Sequence, residues 1–211
     1  GDGSGNLDVP SDYYNEIFMP AYKHGARVSS NSWGSSEGEY YSTVYSMDEM
    51  IYDNPDFLVV VAASNDGSDC ECHRANPPAI GSYPLSVGAL ASSLTCVRFV
   101  SPNVDGDMSI GSPAVGKNCL TVGATENAVP IDTMAYFSSR GPTRDSRIKP
   151  DVVAPGDPLD SADASGSAGL ASCSYTGMSG TSMATPAAAG ALLMLRQFLN
   201  EGLHAKYSSL G

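Results

Sequence analysis

Positive charge is scarce in this sequence. Lysine and arginine number 11 against 23 aspartate and glutamate residues, the net charge is −12, and the few basic residues form no patch. Phosphate backbones are gripped by clustered Lys and Arg, so nucleic acid is excluded as a partner class. Long apolar runs are also missing. Nothing approaches the roughly 18 residues of a membrane span, and the longest stretch, Phe57 to Ala63, has the length of one buried strand. Histidine occurs only three times, at His24, His73 and His204, which leaves few general bases to consider. The start, Gly1-Asp2-Gly3, lacks both an initiator methionine and a charged-then-apolar leader, so the chain reads as a fragment with any signal peptide upstream.

What is present is a globular composition. Apolar residues make up 42% of the 211 and glycine is plentiful at 22, enough to build a core with tight turns and close backbone packing. The spacing predicts a helix over 11–24, capped by Ser11-Asp12, loosened near Pro20 and ended by Gly25. A short strand follows at Ala26 to Ser30. A second helix over 42–53 has Val44, Met47, Met50 and Ile51 on one face and stops at Asn54-Pro55. Phe57 to Ala63 is a continuous apolar strand. Further strands are expected at Cys119 to Gly123, Ala135 to Ser138 and Asp151 to Ala154, and a long helix from Thr181 to Leu199. That helix carries almost no charge before Arg196, so burial is expected. Helices alternating with wholly apolar strands indicate an α/β fold, a mostly parallel sheet flanked by helices.

The region from residue 66 to about 112 breaks this pattern and reads as an irregular insertion. It contains one copy of an internal repeat: Pro78 to Ala89 recurs as Pro113 to Ala124, and the second copy is favoured as the sheet strand. Four of the five cysteines, Cys70, Cys72, Cys96 and Cys119, lie close together, with Cys173 apart. The cluster hints at disulfides and an oxidising compartment. Cys-x-Cys at 70–72 lacks the paired spacing of a zinc site, so no metal is assigned.

The strongest chemical signal is Ser179-Gly180-Thr181-Ser182-Met183-Ala184-Thr185-Pro186 running into the apolar helix. It sets a hydroxyl at a helix N-terminus behind small residues, where unpaired N–H groups and the positive end of the helix dipole favour an anion. Ser182 is a candidate nucleophile with an oxyanion forming beside it. The competing reading is that Ser179 or Thr181 merely caps a buried helix.

The segment Gly180-Thr181-Ser182-Met183-Ala184-Thr185-Pro186 resembles the nucleophile motif of the subtilisin family of serine proteases. Phe137-Ser138-Ser139-Arg140-Gly141-Pro142 and Lys149-Pro150-Asp151-Val152-Val153-Ala154-Pro155-Gly156 are similar to the blocks that precede it there, in the same order. With Val59 to Asn65 and Ser30 to Gly34, the resemblance covers most of the chain except 66–112, and implies the C-terminal portion of one subtilisin-like peptidase domain. It implies a polypeptide substrate, with Asn65 donating its side-chain amide to the oxyanion beside the Ser182 N–H. Ser32, Trp33 and Gly34 would form a substrate-binding edge that pairs with an extended peptide, and Ala62, Ala63 and Ser64 another wall of the P1 pocket. Trp33 could equally be a core anchor. The family usually has glycine where this chain has Ser64, so pocket shape or the turn should differ. An extracellular or secretory location is expected from family habit and the cysteines.

The chain departs from the family in lacking the His-Gly-Thr-His block. His24 reads as a surface residue at a helix end, and His73 and His204 have no partners resembling a triad. Family order is Asp, His, Ser, so the resemblance implies that both missing members lie upstream of Gly1 and that this chain alone is inactive or weakly active. Calcium is common in the family, but Gly1 to Asp8 matches an EF-hand loop poorly, with Leu7 at the turn glycine, so no ligands or cofactor are assigned. Two other functions remain open: a pseudo-protease that only binds peptide strands, and a carboxyl-type serine peptidase with glutamate as base. The latter uses an aspartate oxyanion donor, against which Asn65 speaks.

Overall fold

A computed structural model describes residues 9–67, 108–127, 133–163 and 174–202. Four parallel strands, β1 (Val28–Asn31), β2 (Leu58–Ala62), β3 (Leu120–Glu126) and β4 (Val152–Asp157), form one sheet in that spatial order. Leu58 pairs with Val28, Val60 with Leu120 and Val122 with Val152. The α/β fold with a mostly parallel sheet is therefore observed.

Strand β2 explains why helices must lie on both sides. Val59 and Val61, with the following Ala63, enter one core, together with Val44, Met47, Met50 and Ile51 of helix α2 (Ser42–Asp53), Phe18 and Phe57. Val60, between them, points to a second core with Val122, Ala124, Ala154 and with Ala184 and Ala189 of helix α3 (Thr181–Asn200). Alternate residues of a strand face opposite sides, so an unbroken apolar run demands cover on each. The expected helix over 11–24 is a single π-helical segment, Tyr13–Phe18, passing into helix α1 (Met19–Lys23), with Pro20 in the first α turn where a missing N–H costs little.

Polar anchors tie the sheet's entrances together. The buried Asp48 carboxylate accepts from the Lys117 and Asn118 N–H groups at 2.7 and 2.8 Å and from Tyr40 Oη at 2.7 Å, fixing the approach to β3 against α2. Buried Lys149 Nζ donates to Cys119 O at 3.0 Å and to Asp151 at 2.6 Å, and Asp151 also accepts from the Thr121 N–H, joining β3 to the start of β4. Cys119 is a free, buried thiol, so it is not part of a disulfide. Burial pushes its pKa up to about 11, above the ordinary thiol value. The other four cysteines, His73, His204, the Gly1 to Asp8 segment and the first repeat copy lie outside the described residues. The second copy does form β3.

Two expectations are corrected, and one element is new. Ala135 to Ser138 is no strand: Met134 makes one bridge to Thr125, then the chain turns, and Ser138 Oγ accepts from the Ala124 N–H at 2.9 Å in place of a ladder partner. An unforeseen antiparallel hairpin, β5 (Leu159–Ala162) with β6 (Tyr175–Met178), precedes α3. Helix α3 is not buried throughout. One stripe packs across all four strands, while Leu193, Met194, Leu195 and Leu199 are 50%, 68%, 52% and 52% exposed.

Candidate functional site

Three parallel-strand termini and a helix start converge at the C-terminal edge of the sheet, the place where open α/β sheets hold ligands. The chain leaves β1 at Ser32, leaves β2 at Ser64-Asn65, and enters α3 beside both. Ser32 Oγ donates to Ser182 O at 2.8 Å, and Ser182 Oγ lies 3.4 Å from Ser32 O. Asn65 Oδ1 accepts from the Thr181 N–H at 2.9 Å and from Thr181 Oγ1 at 3.0 Å. These two hydrogen bonds fix the amide: its oxygen is engaged at the helix start, which leaves Nδ2 as the free donor end. The structure thus brings Ser32, Asn65 and Ser182 together.

The first turn of α3 leaves one donor for a substrate. The Thr181 N–H goes to Asn65, and the Met183 and Ala184 N–H groups go to Gly180 O. Among the described residues the Ser182 N–H has no such partner, and it sits at the positive end of a twenty-residue helix. Gly180 makes this geometry possible. Its φ of +154° with ψ of 159° is a conformation reserved for glycine, and its N–H donates to Gly156 O at 2.9 Å. A Cβ on Gly156 would lie 2.8 Å from Gly180 O and 3.2 Å from Ala184 Cβ, so helix start and β4 are in direct contact.

The flanking residues divide into liners and supports. Ser64 has φ of +91°, the left-handed region a side chain resists, and its hydroxyl donates to the Asp66 carboxylate at 2.6 Å. A Cβ on Gly111 would lie 3.1 Å from Ser64 Cβ. Ala62 and Ala63 are both buried, and the Ala63 side chain belongs to the α2-side core. Ala63 meets its neighbours through its backbone, its carbonyl accepting from the Gly111 N–H at 3.2 Å. Gly34 is exposed, and a Cβ there would be 2.7 Å from Ser112 O. Trp33 is half-buried and stands edge-on to Tyr13, ring centroids 5.3 Å apart.

The segment Gly111-Ser112-Pro113 was not foreseen as part of this site. Besides the Gly111 bond to Ala63, Ser112 O accepts from the Ser35 N–H at 2.8 Å, so the segment bridges the stretches after β1 and β2 that would wall a substrate cleft. Only the absence of a Cβ at Gly111, which would sit 1.9 Å from Ser35 O, permits this contact. The repeat touches this segment at Pro113 alone, where the copy leading into β3 begins. His24 is exposed at the C-terminal cap of α1, well away from Ser182 in the fold. No group of three or more His, Cys, Asp or Glu residues is arranged to hold a metal ion among the described residues. No described helix is long and apolar enough to cross a membrane.

Comparison with known proteins gives a consistent result. The sequence model of the Subtilase family matches residues 2–209. The chain is 28% identical over 252 aligned positions to the serine protease/ABC transporter B family protein tagD of Dictyostelium discoideum, covering 96% of this chain and 14% of that protein. It is 34% identical over 159 positions to the serine protease AprX of Bacillus subtilis, covering 69% of this chain and 35% of that one. The chain thus spans a minor part of the length of these relatives. Among solved structures, the prenylagaramide maturation protease PagA superposes with a TM-score of 0.58 at 20% identity, covering 93% of this chain and 53% of PagA's. The protease domain of PatA gives 0.52 at 21% identity, with 86% and 48% covered. At such identities the structural likeness speaks for the fold alone.

Proposed function

Because this chain belongs to the subtilase family, we propose that it supplies the nucleophile and the oxyanion donors of a serine endopeptidase whose base is carried by a polypeptide segment outside these 211 residues. The observation that carries the reading is the pinned Asn65 amide: Oδ1 is held by Thr181, the residue before Ser182, at 2.9 and 3.0 Å, which leaves Nδ2 as the donor end. In the proposed reaction Ser182 Oγ attacks the scissile carbonyl carbon and gives its proton to the base. The carbonyl oxygen becomes an oxyanion shared by Asn65 Nδ2 and the Ser182 N–H. Collapse of the tetrahedral intermediate expels the amine, which takes the proton from the base, and water then hydrolyses the acyl-enzyme by the same route.

Positioning of the substrate follows from the cleft. An extended peptide lying along Ser32 to Gly34 would exchange backbone hydrogen bonds with that edge. Its P1 side chain would enter between the Ser32 to Ser35 wall and the Ala62 to Ser64 wall, above Gly111. Ser64, with its Cβ and its bond to Asp66, narrows that entrance relative to a glycine. A location outside the cytosol rests on Cys70, Cys72, Cys96 and Cys173, since Cys119 is a free core residue.

The test is labelling with a fluorophosphonate probe, with the adduct located by mass spectrometry, on this chain and on the full-length protein from the same gene. Adduct at Ser182 in the full-length protein and none in this chain is the expected result. No adduct in either, with both folded, would replace the enzyme by a peptide-binding pseudo-protease.

A further inference from the structure

A helix carbonyl ordinarily accepts from the N–H four residues further on. For Ser182 O that residue is Pro186, inside α3, and proline has no N–H to give. The proline ring also crowds the carbonyl four residues before it. Ser182 O is therefore an acceptor in the first turn of α3 that the helix cannot serve in the usual way. Its partner comes from 150 positions away: Ser32 Oγ, directly after the end of β1, donates to Ser182 O at 2.8 Å. The reverse contact is longer, with Ser182 Oγ 3.4 Å from Ser32 O. The backbone of Ser182 is thus held tightly and its hydroxyl loosely.

We infer that Ser32 is a positioning residue for the nucleophile, its hydroxyl standing in for the absent Pro186 N–H at Ser182 O. The inference rests on the function proposed above and gives the Ser32 side chain a task separate from its backbone's place on the substrate edge. Two anchored peptide groups bracket the one that would meet the oxyanion. The Gly180–Thr181 peptide gives its N–H to Asn65 Oδ1 at 2.9 Å, which ties it to the chain leaving β2. The Ser182–Met183 peptide is tied to the chain leaving β1 through Ser32 Oγ. Between them lies the Thr181–Ser182 peptide, whose N–H is the proposed oxyanion donor and whose carbonyl accepts from the buried Thr185 Oγ1 at 2.8 Å. Strands β1 and β2 are paired neighbours in one sheet, so the two ties share a rigid base. Removing the Ser32 hydroxyl frees one side of the bracket and leaves Ser182 O to solvent, which satisfies an acceptor without fixing its direction.

The experiment follows the rate of fluorophosphonate labelling at Ser182 in the full-length protein and its variants, with Tm measured alongside. The probe carries no peptide to lie along Ser32 to Gly34, so its rate reads the nucleophile and not the substrate edge. Ser32→Ala should slow labelling about tenfold, the scale of one hydrogen bond. Ser32→Thr, which keeps the hydroxyl at an exposed position, should stay within about threefold of the parent. In a Pro186→Ala background residue 186 again offers an N–H to Ser182 O, and there Ser32→Ala should slow labelling less than about threefold. A merely structural role for Ser32 would not depend on residue 186. Labelling of Ser32→Ala at the parent's rate overturns the inference, and so does an equal loss in the two backgrounds. If Ser32→Ala unfolds the protein, recovery on adding Pro186→Ala supports the inference and no recovery overturns it. A parent that does not label removes the proposed enzyme together with its positioning residue; a parent that labels, with Ser32→Ala unaffected, keeps the enzyme and removes this inference alone.

Discussion

Helices α2 and α3 pack on opposite faces of one sheet and hold to it differently. Helix α2 turns Tyr45 and Tyr52 outward with its polar residues, and its aliphatic and thioether side chains, Val44, Met47, Met50 and Ile51, are buried against large partners such as Val59, Val61 and Phe57. Helix α3 is apolar almost all round, yet its buried positions are Thr181, Ala184, Thr185 and Ala189, while Leu193, Met194 and Leu195 face outward. Small residues let the N-terminal half of α3 come close to the backbone of β4, which sets the position of Ser182. Large residues fill the space around α2. Apolar composition therefore marks two different things here: a closed core on one side and an exposed surface on the other.

That contrast can be broken by a matched pair of truncations. Met47→Ala removes a fully buried side chain whose Cε would lie 2.6 Å from a Cβ on Gly116, and should cost about 2–5 kcal/mol in urea unfolding. Met194→Ala, on α3, should stay within about 0.5 kcal/mol of the parent. Equal costs would mean that the outer face of α3 is already covered in this chain. Gly180→Ala should follow in size, at about 1–3 kcal/mol, because φ of +154° admits no side chain. A Gly180→Ala protein as stable as the parent would show that α3 can start in another conformation.

The α2-side core also predicts a pH response. Cys119 has a folded pKa raised to about 11 by burial, so above the unfolded thiol's pKa the unfolded chain loses a proton that the folded chain keeps. Stability from this group is complete below that unfolded value and declines as pH rises through about 11. Cys119→Ala should flatten the alkaline limb of the stability profile, and an unchanged limb would assign the loss to other groups. A small effect of the opposite sign is expected at Ser64→Gly. Relief of a left-handed residue gains about 1–2 kcal/mol, offset by about 0.5–1 kcal/mol of added backbone entropy and by loss of the Asp66 bond. The net gain should be on the order of 0.5 kcal/mol by these opposing terms, and a net loss would mean the Ser64 to Asp66 bond dominates.

The elements that were legible in the sequence are those whose reason is local. Phe57 to Ala63 is apolar at every position because both faces of β2 are covered, and the bounds of α3 follow from Gly180 before it and the unbroken apolar run after it. The site motif was readable for the same reason, since a glycine, a hydroxyl and a helix start adjoin in sequence. What stayed hidden depends on distant partners. The burial of α3 could not be read from its own residues, because composition does not say whether a neighbour is there. Ala135 to Ser138 has strand-like residues, but Ser138 Oγ takes the Ala124 N–H that a strand's backbone would have taken. Gly111 joins the cleft only because Ser35 and Ala63 reach it from two other parts of the chain.

Gly156 has a consequence of its own. The seating depth of α3 on β4 is set by a missing methyl group: Gly156 O holds the Gly180 N–H at 2.9 Å, and the space where a Cβ would stand is closed by Gly180 O, Ala124 Cβ and Ala184 Cβ. Any larger residue there would lift the helix start and carry Ser182 with it. The strand thus serves as a gauge block for the serine, and a library of single mutants would find intolerance at a position that does not touch the Ser182 hydroxyl.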